Sequence, residues 1–248
     1  MADIKIKSCD NDLEFNIVKG SHIVYMHRRK RKYYETIPGV IISSGHCHVR
    51  PGEFDDTNLS HYHGDIIIPP HVTHRGEIYA VTYLEDQLMF KANKLKSVTI
   101  PGTVKEISKY AFCNCYFMNS VTMEEGIEFI GEYAFSGCYN LREVVVPDSV
   151  TKLEYGVFYY CKELTKVTLG KGLIQISEQT FDECHSLKTV ICRAAAPPKW
   201  YWYPGFNHVD KFDPEIYNNA TLKVPRASIE LYRSAQVWKD FKNIVAID

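Results

Sequence analysis

The sequence has almost no net charge, since 29 Lys and Arg residues stand against 30 Asp and Glu residues for a formal charge of −1. A chain balanced in this way has no overall attraction to nucleic acid or to anionic membranes, and we predict neither as a partner. It also lacks an apolar run near the roughly 18 residues that a membrane-spanning helix needs. The first residues, MADIKIKSCDNDLEF, contain no apolar stretch of the kind found in signal peptides, so none is predicted.

Motifs of enzymatic chemistry are missing as well. G-x-S-x-G, the P-loop, G-x-G-x-x-G, H-E-x-x-H and C-x-x-C do not occur in the sequence. Glu124 and Glu125 are paired carboxylates, but they fall in a turn where no cleft would desolvate them. We therefore expect no enzymatic activity, no catalytic residues and no cofactor.

One pattern recurs four times between Leu95 and Cys192 at a constant interval of 23 residues. Phenylalanine, cysteine and valine each keep one position in it. These residues are Phe112, Phe135, Phe158 and Phe181; Cys115, Cys138, Cys161 and Cys184; and Val98, Val121, Val144, Val167 and Val190. A fixed period of about 20 to 50 residues is typical of a solenoid, in which each copy forms one coil.

The residues of one copy predict its local structure. Val98 and Ile100 alternate with polar residues, which predicts a strand with one buried face, and Pro101 ends it because proline lacks an N–H. Ala111, Phe112 and Cys115 then read as one irregular helical turn. A single copy cannot bury these apolar faces, whereas stacked copies can, with strands about 4.8 Å apart in a parallel sheet.

The unit L-x-x-V-x-I-P-x-x-V-x-x-I-x-x-x-A-F-x-x-C resembles the BspA-type leucine-rich repeat, known from bacterial and protist surface proteins. The resemblance covers about half of the chain, and length, order and spacing agree in consecutive copies. It implies a right-handed, curved, β-rich solenoid with a parallel sheet on its concave side. The family is mostly non-catalytic, and several members are associated with adhesion.

We predict three parts in the chain. Residues 1–64 form a β-rich cap without repeats, residues 65–192 form the repeats after an opening hairpin and a degenerate first copy, and residues 193–248 form a strand–helix–strand cap. The predicted strands of the caps are listed here: 13–17, 22–26, 40–42, 46–49, 66–68, 78–81, 221–224 and 243–247, with a helix over 226–234.

Cysteines and histidines are candidate metal ligands. Eight cysteines in 248 residues are too few for a disulfide scaffold. The four in the repeat have apolar neighbours and are interpreted as buried free thiols. His46 and His48, with His61 and His63, form two alternating pairs that a transition metal could use. Surface histidines of a β-rich cap are the preferred interpretation, and we assign no metal ligands.

The basic run from His27 to Lys32, with Tyr33 and Tyr34 after it, is a further candidate site. Such clusters act as nuclear signals or bind nucleic acid or polyanionic glycans. A solvated hairpin loop explains the run equally well, and the balanced charge of the whole chain favours that interpretation.

Two surfaces are candidate ligand-binding sites. The first is the outward-pointing row of the concave strands: Ser97, Thr99, Ser120, Thr122, Glu143, Val145, Lys166 and Thr168. Solenoids bind partners on such strips, although Ser and Thr also simply suit exposed strand positions. The second is the aromatic loop: Trp200, Tyr201, Trp202 and Tyr203. These rings either contact a ligand or cover the last coil.

The sequence thus predicts an interaction module. The leading hypothesis is a cell-surface or secreted adhesion-type protein that recognises a protein or glycan through the concave face or the aromatic loop. An intracellular protein-binding scaffold is the alternative, which the lack of a signal peptide favours unless an export signal has been removed. A metal-binding protein that uses the His-rich cap is the third hypothesis.

Overall fold

The computed structural model describes residues 4–7, 14–17, 23–27, 62–74, 77–201 and 212–247. Their strands and helices are, in chain order, β1 Ile4–Lys7, β2 Glu14–Ile17, β3 Ile23–His27, β4 His63–Ile67, β5 His71–His74, β6 Glu77–Leu84, β7 Lys94–Ile100, β8 Glu106–Ile107, β9 Ser120–Met123, β10 Phe129–Ile130, β11 Glu143–Val145, β12 Lys152–Leu153, β13 Lys166–Leu169, β14 Gln175–Ser177, β15 Thr189–Cys192, β16 Lys199–Tyr201, α1 Pro214–Asn219, β17 Thr221–Val224, α2 Ile229–Ser234 and β18 Asn243–Ala246. Short 3₁₀ turns, Arg226–Ser228 and Trp238–Asp240, flank α2.

The strands form two sides of a coil. One side is a sheet in the order β1-β2-β3-β6-β8-β10-β12-β14-β16, with β5 paired to β6. The other side consists of β4-β7-β9 followed by β11-β13-β15-β17-β18, and β9 contacts β11 where the two groups meet. From β7 to β16 the chain alternates between the two sides, with parallel pairing, as a β-rich repeat solenoid requires.

The 23-residue interval of the sequence is the register of the strand pairing. Ile107 pairs with Ile130 and Ile130 with Leu153, so that identical repeat positions stack in columns. The phenylalanine column fills the centre with four buried rings. Its successive ring centroids lie 5.2, 5.7 and 5.8 Å apart, and the ring planes deviate by 4°, 13° and 12° from parallel. The stacked-core prediction is confirmed.

The segment around each buried phenylalanine forms turns, where an irregular helical turn was predicted. Two residues per coil adopt left-handed backbone angles, which interrupt a right-handed helix. These residues are Gln87, Tyr110, Tyr133, Gly156 and Gln179 at the first position, and Lys91, Asn114, Gly137, Tyr160 and Glu183 at the second. The same angles five times over show that the coil geometry begins at Gln87, one period before Tyr110.

The opening coil is longer than the others. Ile66 of β4 pairs with Val98 of β7, which is 32 residues further along instead of 23. The additional residues include β5, which pairs antiparallel with β6. Upstream, β3 pairs parallel with β6, so the N-terminal strands extend the sheet that runs through β8 to β16.

The C-terminal strand–helix–strand is confirmed, with β17 and β18 added in parallel to β15. Helix α1 was not predicted. Two buried side chains of this end anchor it to the chain that leaves the last coil. Tyr232 Oη donates a hydrogen bond to the carbonyl oxygen of Ala194 at 2.8 Å, and Trp238 Nε1 donates to that of Pro198 at 2.9 Å.

Other predicted strands are present as β2, β3, β4 and β6. The strands predicted at 40–42 and 46–49 lie outside the described residues. Among the residues that are described, none of the helices has the length and apolar character to traverse a lipid bilayer.

Candidate binding surfaces

The predicted concave residues form two rows across the strands from β4 to β18, and we call these rows together the strand-face strip. In-register pairing aligns Ser97 with Ser120, and Glu143 with Lys166. The inner row is Asp65, Ser97, Ser120, Glu143, Lys166, Thr189, Thr221 and Asn243. The outer row is Ile67, Thr99, Thr122, Val145, Thr168, Ile191, Lys223 and Val245.

The inner row contains several polar pairs. Ser97 Oγ donates to Asp65 Oδ1 at 2.6 Å, and Asn243 Nδ2 donates to Thr221 Oγ1 at 2.8 Å. Lys166 Nζ lies 3.1 Å from Glu143 Oε2, with both side chains substantially exposed. An exposed pair of this kind contributes little stability. The pair therefore leaves two charged groups on the surface of the strip.

The outer row presents apolar and hydroxyl groups. Ile67 is 69% exposed and Val145 is 49% exposed, whereas Thr122 is exposed and Thr99 half-buried. Thr168 is only 5% exposed, between Val145 and Ile191 in the register, and it offers almost no surface to a ligand. The sequence pattern could not predict this burial, since alternation indicates the face of a side chain but not the size of its neighbours.

The two described residues of the aromatic loop lie in different environments. Trp200 belongs to β16 and packs against the core, with its ring centroid 5.3 Å from Phe212 and 6.3 Å from Trp238. Tyr201 is exposed, with Lys152 Nζ 5.8 Å from its ring centroid. Trp202 and Tyr203 lie outside the described residues. Of the two described rings, Tyr201 is therefore the one with surface to offer.

The repeat cysteines form a column of buried free thiols. Each Sγ donates to the backbone carbonyl oxygen 26 residues earlier: Cys115 to Met89, Cys138 to Phe112, Cys161 to Phe135 and Cys184 to Phe158, at 3.1 to 3.3 Å. Burial raises the pKa of Cys161 to about 12 and those of Cys138 and Cys184 well above the usual value. Thiols held protonated in this way are poor nucleophiles and poor metal ligands.

The paired carboxylates of the repeat turns bind backbone amides. Glu124 Oε2 accepts a hydrogen bond from the N–H of Gly102 at 3.0 Å. Glu125 accepts from the N–H groups of Asp148 and Ser149 at 2.9 and 3.0 Å. Both side chains thus connect neighbouring coils, which accounts for paired acids in a turn without an acid–base role.

The histidine pairs considered as metal ligands lie outside the described residues, apart from His63, which is exposed on β4. The basic run also lies outside them, except for the backbone of His27 in β3. Within the described ranges, no group of three or more His, Cys, Asp or Glu side chains is placed to hold a metal ion.

His185 links the last coil to α1. Its Nε2 lies 2.9 Å from Glu183 Oε2 and its Nδ1 lies 3.0 Å from Asp213 Oδ2. Burial lowers the pKa of His185, but the hydrogen bond to Glu183 and the surrounding carboxylates outweigh it, so that the pKa is raised overall. The pKa of Asp213 is also raised, because its burial outweighs the attraction of His185.

A third surface, missed in the sequence, consists of tyrosines on the turn segments. Seven partly exposed tyrosines cluster there: Tyr110, Tyr116, Tyr133, Tyr139, Tyr155, Tyr159 and Tyr160. We call this cluster the tyrosine surface. Two tyrosine pairs separated by 23 residues, 110 with 133 and 116 with 139, were a usable signal for part of it.

The coils carry the same residue types at the same repeat positions, which allows them to be compared with known repeat families. A family model described as BspA type leucine rich repeat region matches residues 84–196 with six copies. Residues 84–196 are therefore similar to BspA-type leucine-rich repeats. The match confirms the resemblance carried by the sequence, and leucine-rich repeats of this type are protein-interaction modules.

Solved structures resemble the chain over most of its length. The T. pallidum leucine-rich repeat protein TpLRR is 16% identical with a TM-score of 0.60, and the match covers 94% of this chain and 93% of TpLRR. The pneumococcal vaccine antigen PcpA is 18% identical with a TM-score of 0.58, over 92% of this chain and 51% of PcpA, so this chain spans about half the length of PcpA. Identities this low establish the fold alone. No curated protein matches the sequence.

Proposed function

We propose that this chain is a non-catalytic recognition protein of the adhesion type, at a cell surface or secreted, and that the strand-face strip makes its ligand contacts. The ligand is a protein or a glycan. The observation that carries the proposal is the outer row, where Ile67 and Val145 stand exposed on a sheet face beside a polar row.

The dimensions of the strip suit a macromolecular ligand. It crosses a three-stranded and a five-stranded group. Eight strands at about 4.8 Å spacing span roughly 34 Å, which matches the extended surfaces on which solenoids bind partners. Exposed apolar side chains supply buried area on binding, and the Glu143–Lys166 pair supplies charges that fix orientation.

Two further observations support a non-catalytic surface protein. The carboxylates of Glu124 and Glu125 are committed to backbone amides, and the raised pKa values of the repeat thiols make them poor nucleophiles. PcpA, which shares the fold, is described as a pneumococcal vaccine antigen. Surface display of this chain is in keeping with that description.

The test is binding of the purified chain to an array of matrix proteins and glycans. The decisive variant carries Thr99→Arg, Thr122→Arg and Val145→Arg together, because these three side chains share the outer row and Thr168 is too buried to change safely. Ile174→Arg is the matched control, since Ile174 is 64% exposed beside β14 on the other sheet. Thermal unfolding verifies that each variant folds.

We expect the parent and Ile174→Arg to bind at least one array component and the triple variant to lose it. Binding that survives in the folded triple variant would remove the strip from the proposal. An array without any bound component would contradict the adhesion role itself and favour the intracellular scaffold.

A further inference from the structure

The tyrosine surface lies on a different side of the coils from the strand-face strip. Its residues follow the second short strand of each coil and precede the long strand of the next one, as Tyr133 and Tyr139 do between β10 and β11. Each coil thus consists of a strand in one sheet, a strand in the other sheet and this turn segment. A ligand on the strip therefore leaves the tyrosine surface free.

The rings of the tyrosine surface hold one another in place. Tyr110 and Tyr133 stack with centroids 5.2 Å apart and planes 3° from parallel, and Tyr159 meets Tyr133 edge-on at 6.3 Å. Contacts continue through Tyr160 to Tyr139 at 6.2 Å, and from there to Tyr116 at 4.8 Å. Side chains ordered before binding lose little conformational entropy when a partner arrives.

The ring faces are largely covered. Tyr110 and Tyr133 cover each other, and Lys162 Nζ lies 5.2 Å from the centroid of Tyr139 and 4.8 Å from that of Tyr160. Tyr133 also lies against Gly156, where an added Cβ would be 2.6 Å from Cε1. A sugar ring packs its C–H groups on an open aromatic face, so this arrangement disfavours a glycan as the partner.

The parts left for a partner are ring edges, phenol hydroxyls and an ammonium group. Ring edges carry partial positive charge. The phenols stay protonated donors, because burial raises the pKa values of Tyr110, Tyr116 and Tyr159 further above neutrality. All three groups therefore attract carbonyl and carboxylate oxygens, which protein segments present.

Lys162 supplies the charge of this surface. Its side chain is exposed, and within the described ranges its ammonium contacts two rings without an acidic partner. Lys109, which lies over Tyr110, is already paired with Glu132. At the other end, Asp182 and Glu183 place negative charge near Tyr159. An incoming carboxylate is therefore directed to Lys162.

We propose that the tyrosine surface binds a protein segment that carries an acidic side chain, with its carboxylate at Lys162 and its backbone carbonyls at the phenol hydroxyls. The chain then has two independent binding surfaces, and it links a protein on the tyrosine surface to the ligand of the strand-face strip. This inference does not depend on the ligand of the strip.

The probe is a random 12-residue peptide library displayed on phage and selected on the immobilised full chain. Selected peptides are synthesised with each Asp or Glu intact and, in turn, replaced by Asn or Gln, and their Kd values are measured by fluorescence anisotropy. Lys162→Met and Tyr139→Phe test the surface. Lys105→Met is the matched control, because Lys105 is an exposed repeat lysine that is paired with Glu128.

We expect acidic peptides whose affinity falls at least ten-fold when one carboxylate becomes an amide. Lys162→Met should lower the affinity for the intact peptide by the same factor and abolish the difference in affinity between the acid and amide peptides. Tyr139→Phe should lower the affinity because the phenol hydroxyl is lost. Lys105→Met and the strip variant of Thr99, Thr122 and Val145 should bind as the parent does.

Four results would overturn the assignment. Selected peptides that bind Lys162→Met and Tyr139→Phe as tightly as the parent would place the contact elsewhere. A selection that enriches no peptide would contradict a peptide partner. If soluble β-glucan or polygalacturonate binds the parent but not Tyr139→Phe, the partner of the tyrosine surface is a glycan and not a protein. Loss of peptide binding in the strip variant would assign the peptide to the strip and leave the adhesion proposal standing.

Discussion

Phe212 stacks on Phe181 with ring centroids 5.4 Å apart and ring planes 3° from parallel. The two residues are separated by 31 positions, so the phenylalanine column continues beyond the repeats without the repeat spacing. Trp238 and Phe241 pack edge-on against Phe212 at 6.0 and 5.0 Å. The C-terminal residues thereby bury the end of the column, which a solenoid must cover to stay soluble.

The interior of the phenylalanine column should be sensitive to truncation. Phe158→Ala leaves a cavity between Phe135 and Phe181 where the surroundings cannot collapse, and we expect a loss of about 3 to 5 kcal/mol in the free energy of unfolding. Urea denaturation measures it. Phe117→Ala is the control, since Phe117 is 60% exposed and should change stability by about 0.5 kcal/mol or less. A loss below about 1 kcal/mol for Phe158→Ala would contradict the stacked core.

Phe212→Ala tests whether the C-terminal residues share the stability of the coils. The ring contacts Phe181, Trp200 and Trp238, among others, and its loss should cost about 3 to 5 kcal/mol, as for an interior member. Hydrogen exchange should accelerate in β15 and β17, which lie at this end. Unchanged exchange there, despite lower stability, would show that the end and the coils do not unfold together.

The solenoid could be predicted because its information is periodic. Phe112 and Cys115 recur at one interval, and identical positions in stacked coils must meet the same neighbours. Burial could not be predicted in full, as Thr168 shows, because it depends on the sizes of Val145 and Ile191 beside it. The left-handed backbone angles of Tyr110 and Asn114 could not be predicted from the sequence either, since non-glycine residues seldom adopt them.

The non-periodic parts left weaker signals. Helix α1 begins with Asp213 and Pro214, a usual start of a helix that was overlooked in the sequence. Phe212 gave no signal, because its distance from Phe181 does not match the repeat. Tyr159 and Tyr160 occupy positions where the neighbouring coils carry other residue types, so the tyrosine surface emerges only when the coils stack.

Gly156 is required by the ring of Tyr133. Its φ is +61°, and an added Cβ would meet Tyr133 Cε1 at 2.6 Å and Cδ1 at 2.7 Å. Gly156→Ala should therefore destabilise the protein by about 1 kcal/mol or more, from left-handed strain and from displacement of the ring. Gln179 occupies the same repeat position at φ +57°, and Gln179→Gly should be neutral or stabilising by up to about 1 kcal/mol. Urea denaturation measures both free energies of unfolding, and a similar loss for Gln179→Gly and Gly156→Ala would contradict this explanation.

The repeat thiols should be inert in the native protein. Cys138, Cys161 and Cys184 are fully buried and donate hydrogen bonds to backbone carbonyls, and their pKa values are raised by that burial. Iodoacetamide at pH 8, followed by peptide mass spectrometry, should label these three only after urea is added. Labelling of any of them in the folded chain, at the rate seen in urea, would show that the coils open there.

His185 should make stability depend on pH. Its ring lies between Glu183 and Asp213, and its folded-state pKa is raised above the unfolded value of about 6.5. The stabilisation is therefore fully present below about pH 6.5 and is lost as pH rises through the raised folded-state pKa. Urea denaturation from pH 5.5 to 9 should show a stability difference between the parent and His185→Gln that is largest at the acidic end and shrinks towards pH 9. His63→Gln, which replaces an exposed histidine of β4, is the control for the substitution itself. A difference that grows with pH would mean that His185 stabilises the last coil and α1 as a neutral ring.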